Sequence, residues 1–251
     1  IVWFHCASLG EYEQGKPIII QYKKKYPNHK ILLTFFSPSG YEKRKNTTLA
    51  NFVFYLPLDT KSNANQFIRI ANPIKVIFIK YEFWFNYMNE IGKNNIPLYS
   101  VSTIFRKNQL FFKHKWFKKQ LKNITHFFVQ DHNSEKLLKS IGFKNITLSG
   151  DSRFDTVRST KKNSKKLTLI DSFCENKKTV ICGSTWPKDE KLLIKYIQQH
   201  PKNKYIIAPH EIKRINILMK KTNGLLYSKG TKENINKHNV LITDSIGLLP
   251  Y

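Results

Sequence analysis

Short apolar runs alternate with longer amphipathic stretches along almost the whole chain, and this alternation constrains the fold more than any other feature. Strands are expected at 1–4, 31–36, 52–56, 76–79, 98–101, 127–129 and 146–148. Segments with helical spacing fall between them, at 12–26, 63–71, 83–94, 110–121 and 134–141. Strand followed by helix, repeated, is the pattern of βα units feeding a parallel sheet with helices on its faces. The first part of the chain therefore reads as a Rossmann-like unit. From 156 to 178 the apolar period weakens and Lys, Ser and Asn dominate, as in a connection between domains. Alternation then resumes, with strands expected at 179–182, 205–208 and 240–243 and helices at 189–200 and 211–222. The expected division is 1–155, a linker at 156–178, and 179–251 as a second α/β domain with few strands.

Composition narrows the function classes. A formal charge of +26 favours anionic partners, although lysine is so widely spread that much of it reads as solvated surface. Cys6, Cys174 and Cys182 make neither a disulfide framework nor a Cys-x-x-Cys site, which fits a reducing compartment. No apolar run approaches the ~20 residues of a membrane-spanning helix. Neither Gly-x-Gly-x-x-Gly nor the P-loop pattern occurs, and no His/Cys/Asp spacing suggests a metal, so no metal and no cofactor is expected. The chain opens at Ile1 inside an apolar run and ends as a new helical pattern starts, and it reads as a piece of a longer protein.

Several stretches carry residues suited to chemistry, each with a plainer alternative. Glu11 stands at a strand-to-helix turn, where open α/β sheets bind ligands, yet Ser8 and Glu11 also have the spacing of a capping box. Gly183-Ser184-Thr185 between strand and helix suits a phosphate, or Ser184 or Thr185 simply caps the helix ahead of Pro187. Arg153 suits a phosphate or carboxylate, or it pairs with Asp151 or Asp155. Glu82, beside aromatic rings, either meets a substrate hydroxyl or complements a helix first turn. His210 follows a strand as a ligand contact, a cap or a core hydrogen-bonder. Residues 105–119 mix Phe and Trp with Lys, which fits a membrane interface, a core face or a nucleic-acid groove.

Taken in order, these stretches resemble the Kdo transferases, which move 3-deoxy-D-manno-oct-2-ulosonic acid (Kdo) from CMP-Kdo onto a lipid A precursor. The resemblance rests on His5-x-x-Ser8-x-Gly10-Glu11, Ser37-Pro38-Ser39-Gly40, Pro57-Leu58-Asp59, Glu82-Phe83-Trp84-Phe85-Asn86 and Ser102-Thr103-Ile104-Phe105-Arg106. It continues through Gly150-Asp151-Ser152-Arg153-Phe154-Asp155, Gly183-Ser184-Thr185 and Asp244-Ser245-Ile246-Gly247. It implies an inverting GT-B glycosyltransferase: two Rossmann-like domains with a deep cleft between them, the first for the acceptor and the second, here truncated, for the CMP-sugar. Glu11 then matches the general base. Arg153, Ser184, Thr185, His210, Ile246 and Gly247 match donor or phosphate positions, and Ser37, Ser39, Gly40, Glu82 and Arg106 match acceptor or cleft positions.

The sequence also departs from the family. Arg153 stands where lysine is usual. The arginine of a Pro-Arg-His motif is missing from Ala208-Pro209-His210, leaving Lys213 or Arg214 to replace it, and Leu248 stands where a glutamate is usual. The nucleotide-gripping segment that follows in the family would lie beyond Tyr251, so the 251 residues alone are expected to bind CMP poorly and to be inactive. The implied setting is the cytoplasmic face of the bacterial inner membrane, with an anchor preceding Ile1. The implied partners are the lipid A precursor, CMP-Kdo and an anionic membrane surface, without nucleic acid. The rival readings are another GT-B sugar-nucleotide transferase or epimerase, and a basic nucleic-acid-binding protein.

Overall fold

The computed structural model describes residues 1–162 and 166–245 and separates into two compact units, Ile1–Arg158 and Ser159–Tyr251. In the first unit the elements run β1 (Val2–His5), α1 (Leu9–Lys25), β2 (Ile31–Phe35), α2 (Pro38–Arg44), β3 (Phe52–Tyr55), α3 (Lys61–Ala71) and β4 (Lys75–Ile79). They continue with α4 (Phe85–Lys93), β5 (Leu98–Thr103), α5 (Lys115–Gln120), β6 (His126–Val129), α6 (His132–Ser140), β7 (Ile146–Leu148) and α7 (Arg153–Lys162). All seven strands pair in parallel in the order β3-β2-β1-β4-β5-β6-β7.

Helices on both faces explain why β1 shows no polar alternation. Its four residues are all buried, Trp3 entering one core cluster with Val76, Phe78 and Leu98, while Val2 and Phe4 enter the other with Ile31, Leu33 and Ile79. Each such side chain contributes about 1.5–3 kcal/mol on burial. Helix starts are set locally. Thr60 Oγ1 accepts from Asn63 N at 3.2 Å to begin α3, and Asp131 Oδ1 accepts from Ser134 N at 2.7 Å to begin α6.

The second unit contains α8 (Thr168–Cys174), β8 (Thr179–Thr185), α9 (Pro187–Gln199), β9 (Lys204–Pro209), α10 (Ile215–Thr222), β10 (Leu225–Leu226) and β11 (Val240–Ile242). Its strands are parallel in the order β10-β11-β9-β8. At the start of β9, Lys204 is fully buried, donates to the His238 carbonyl at 2.6 Å and lies 4.7 Å above the Phe173 ring. Burial pushes its ammonium below its ordinary value.

Three expectations about local structure change. Residues 156–178 are not a featureless connection: α7 runs to Lys162, and α8 buries Phe173 with Ile206, Ile235 and Leu241 in the second unit. Helix α2 lies where no element was expected. Its signature was present all the same, because Ser37 caps it and Pro38 occupies its first turn. The helix expected over 110–121 shortens to α5 between two single 3-10 turns, as Phe111 drops into the core and breaks the register.

Candidate active site

Chain order along the first sheet reverses direction at β1. β2 and β3 lie to one side and β4 onward to the other, so the carboxyl ends of β1 and β4 form a topological switch point. Glu11 stands there, in the first turn of α1. The capping box does not form: Ser8 is the N-cap residue, but its side chain makes no cap bond and its Oγ donates instead to Glu11 Oε2. Lys80 Nζ lies 3.8 Å from Glu11 Oε1, and the Glu11 side chain keeps 15% of its exposure. The carboxylate is thus held by one hydroxyl and one ammonium while still reaching solvent.

The segment from Ser37 to Gly40 is brought against this turn. Phe36 N and Ser37 N both donate to the Ala7 carbonyl, at 3.1 and 2.7 Å. Ser37 Oγ accepts from Ser39 N at 3.2 Å and lies 2.9 Å from Ser39 Oγ. Gly40 is required by proximity, because a Cβ there would lie 2.7 Å from Phe35 Cε1, closer still to Cδ1, and 3.0 Å from the Ser8 carbonyl carbon.

Glu82 follows β4 and lies ahead of α4 rather than in its first turn. That helix end is served by Asp59, whose carboxylate accepts from Asn86 N at 3.2 Å and Tyr87 N at 3.1 Å. Glu82 is 8% exposed, and its Oε2 accepts from Trp84 Nε1 at 2.5 Å and lies 3.2 Å from His5 Nε2. Burial, with Glu82 and Glu11 nearby, pushes the Cys6 thiol well above its ordinary value, which marks it as a packed thiol rather than a nucleophile. Arg106 follows β5. Its backbone N donates to Gln109 Oε1 at 2.9 Å, while its guanidinium has no partner among the described residues.

Arg153 makes the expected pair with Asp151: its Nε and Nη2 donate to Asp151 Oδ2 at 2.8 and 2.5 Å. Burial alone would raise the Asp151 carboxyl, but the Arg153 side-chain and backbone donors outweigh it and hold the group below the usual carboxylate value.

In the second unit neither Ser184 nor Thr185 caps α9. Trp186 is the N-cap residue, and its N donates to Asp189 Oδ2 at 2.9 Å. Ser184 Oγ lies 2.8 Å from His210 Nδ1, and the His210 ring stacks on Trp186 with centroids 4.0 Å apart. Thr185 Oγ1 is buried without a hydrogen-bond partner among the described residues. The carboxyl ends of β8 and β9 therefore bring Ser184, Thr185 and His210 together. Arg214 is committed elsewhere, donating from Nε and Nη2 to Glu190 Oε2 at 2.8 and 2.6 Å, and Lys213 pairs with Glu211 at 3.3 Å. Asp244 accepts from Ser228 N at 3.1 Å, whereas Ile246 and Gly247 lie outside the described residues.

Lys80 and His5 were missed as site residues. His5 was visible as the first residue of the His5-x-x-Ser8-x-Gly10-Glu11 motif but without a role of its own, and Lys80 only as the residue ahead of Tyr81-Glu82. Lys80, Ser102 and Ser184 are non-glycine residues at φ 72°, 56° and 57°, each at the carboxyl end of a strand. Such conformations cost about 1–3 kcal/mol and cluster where function fixes the backbone. Among the described residues no group of three or more His, Cys, Asp or Glu side chains could hold a metal ion.

The chain is similar to the 3-deoxy-D-manno-octulosonic acid transferase of Haemophilus influenzae, 25% identical over 99% of this chain and 61% of the relative. It is likewise similar to that of Chlamydophila psittaci, 24% identical over 99% and 60%. The chain thus spans about 60% of the length of these relatives. Among solved structures, UDP-GlcNAc 2-epimerase from Neisseria meningitidis superposes with TM-score 0.64 at 12% identity, covering 99% of this chain and 73% of that one. Acinetobacter baumannii MurG superposes with TM-score 0.53 at 8% identity, covering 99% and 67%. These structural likenesses establish the fold alone, an α/β fold of GT-B type built on parallel sheets. Residues 1–156 match the family described as 3-deoxy-D-manno-octulosonic-acid transferase (kdotransferase), and the chain belongs to that family.

Proposed function

We propose that this chain is the larger part of an inverting glycosyltransferase of lipopolysaccharide biosynthesis that moves Kdo from CMP-Kdo onto the lipid A precursor lipid IVA. The observation that carries this reading is Glu11, held by Ser8 and Lys80 at the sheet's switch point with part of its carboxylate open to solvent. In the reaction the acceptor hydroxyl oxygen bonds to the anomeric carbon of Kdo, Glu11 takes its proton, and the bond to the CMP phosphate breaks on the opposite face. CMP leaves with the bonding pair, so the configuration inverts.

The second unit holds the donor. Ser184 and His210 are suited to the phosphate; α9's first turn already carries Asp189 and Glu190, so the hydroxyl and the ring matter more here than the helix dipole. Ile246 and Gly247 are assigned to the donor by the family motif alone. Ser37, Ser39, Gly40, Glu82 and Arg106 serve the acceptor. No metal ion and no cofactor takes part.

The protein works at the cytoplasmic face of the inner membrane, held by an N-terminal anchor and by anionic lipid. Among the described residues no helix is long and apolar enough to cross a membrane. The lipid-facing surface is the basic segment around Trp116, which is 54% exposed while Phe111, Phe112 and Phe117 pack into the core.

Transfer of radiolabelled Kdo from CMP-Kdo to lipid IVA by the full-length protein, wild type against Glu11→Gln, tests the assignment. Turnover should fall by at least ~100-fold, the scale of lost general-base catalysis, with an unchanged unfolding midpoint. Retained turnover in the variant would remove Glu11 as the base, and absence of transfer by the wild type would remove the donor and acceptor named here.

A further inference from the structure

A buried chain of hydrogen bonds runs from the centre of the first sheet to Glu82, and its donors can be assigned one by one. Trp3 Nε1 lies 2.7 Å from Thr34 Oγ1, and an indole nitrogen can only donate. Thr34 Oγ1 therefore accepts from Trp3, and its single proton is free to go to His5 Nδ1, 2.8 Å away. A carboxylate oxygen can only accept, so the proton between His5 and Glu82 belongs to Nε2, which donates to Glu82 Oε2 at 3.2 Å, and with the ring proton there Nδ1 accepts from Thr34. Trp84 Nε1 donates to the same oxygen at 2.5 Å.

Trp3, Thr34 and His5 are all fully buried, so water cannot substitute for any of these bonds. Two donors fix Glu82 Oε2, while among the described residues Oε1 makes no hydrogen bond and is not one of the sealed, unpartnered atoms.

We propose that His5, in its Nε2–H form set by the Glu82 carboxylate and matched by Thr34, is a positioning residue that clamps Glu82 Oε2 so that Oε1 is the oxygen offered to an acceptor hydroxyl. The acceptor's part rests on the function proposed above; the proton assignment does not. The relay also accounts for the site's location. His5 is the last residue of β1 and Thr34 lies beside it in register on β2, so two adjacent strands together hold the carboxylate. A loop carboxylate fixed in this way keeps its geometry when the rest of the loop moves.

The test has two arms. In the first, 15N-histidine-labelled full-length protein is examined by NMR at neutral pH, with the His5 signals identified by their loss in His5→Phe or His5→Gln. The expected result is an unprotonated Nδ1 and a protonated Nε2; a protonated Nδ1 overturns the relay whatever the protein's activity.

The second arm is transfer kinetics on His5→Phe, His5→Gln and Trp84→Phe, with the folded fraction checked by unfolding. His5→Phe should lower kcat roughly 10- to 100-fold, the factor equivalent to one lost hydrogen bond to a charged group. The acceptor KM should stay within about 3-fold, because the clamp orients a group without adding ground-state contact. His5→Gln, which keeps an amide donor for Oε2, should recover most of the loss, and Trp84→Phe should show a similar fall in kcat. Unchanged kcat in both His5→Phe and Trp84→Phe overturns the positioning role. A correct tautomer in a protein that transfers no Kdo would instead count against the proposed substrates.

Discussion

Replacing Gly40 by alanine measures how tightly the site is built, because the same substitution at Gly10 should have the opposite sign. At Gly40 the new Cβ would meet the ring of Phe35, which is fully buried, and the backbone carbon of Ser8 at 3.0 Å. Neither neighbour can swing aside: the ring is packed in the core, and moving Ser8 moves the residue that bonds Glu11. Forcing a methyl into a packed core costs about 1–3 kcal/mol. Reduced freedom of the unfolded chain returns about 0.4–1 kcal/mol. The net expectation is a loss of about 1–2 kcal/mol, which for a chain of this size lowers Tm by roughly 2–8 °C. At Gly10 the added Cβ meets only Ser8 Oγ, at an ordinary 3.6 Å, so Gly10→Ala should stabilise by about 0.4–1 kcal/mol. Calorimetric unfolding of both variants beside the wild type gives the comparison. A Gly40→Ala protein as stable as the wild type would refute the claim that close backbone approach is what selects glycine there.

Other substitutions probe different parts of the molecule. Arg214→Met strands Glu190, which is 2% exposed and has a second oxygen with no donor, so it should cost about 3 kcal/mol in urea unfolding, with Glu190→Gln recovering much of this in the double variant. Asp151 has a folded-state pKa depressed below its ordinary value, so its contribution is present at neutral pH and is lost as pH falls through the depressed value. The stability gap between wild type and Arg153→Met, under about 1 kcal/mol for so exposed a pair, should therefore narrow as pH falls from neutral through that depressed value, and a gap constant throughout the acid range would remove the ion pair as its source. Lys113→Glu with Lys115→Glu should weaken salt-sensitive binding to anionic vesicles at least ~10-fold, since each lysine near such a surface contributes ~1 kcal/mol, and unchanged binding would exclude that segment.

Local pattern carried the alternation of strands and helices, and the inner strands β1, β2 and β4 could be read from it because nearly all their residues are buried, so that apolar runs have no other use there. The ordered motifs pointed to Glu11, Glu82 and the Ser37–Gly40 turn for a similar reason: short-range spacing around glycines and caps survives when overall identity is low. Helix α2 was readable from Ser37-Pro38, but the period of the surrounding polar residues hid it. The break in the helix expected over 110–121 was not readable, since Phe111 and Phe117 fit a helical stripe equally well until the core claims them.

What a residue's partner would be was beyond the sequence wherever that partner is remote. Spacing offered Glu11 a cap bond to its own helix; the fold gave it Ser8 Oγ and Lys80, because β4 pairs beside β1 and the two strands exit at the same edge. Spacing offered Arg153 Asp151 or Asp155 as a neighbour, and the fold pairs it with Asp151. His5 and Glu82 are 77 residues apart, joined only because β1 and β4 lie side by side. The sequence by itself determined the repeating βα units, the family and the candidate carboxylates, all of which depend on local order and periodicity. The hydrogen-bond partners and exposure of those carboxylates were decided only by the tertiary structure, because strand order sets them and strand order is a property of the assembled sheet.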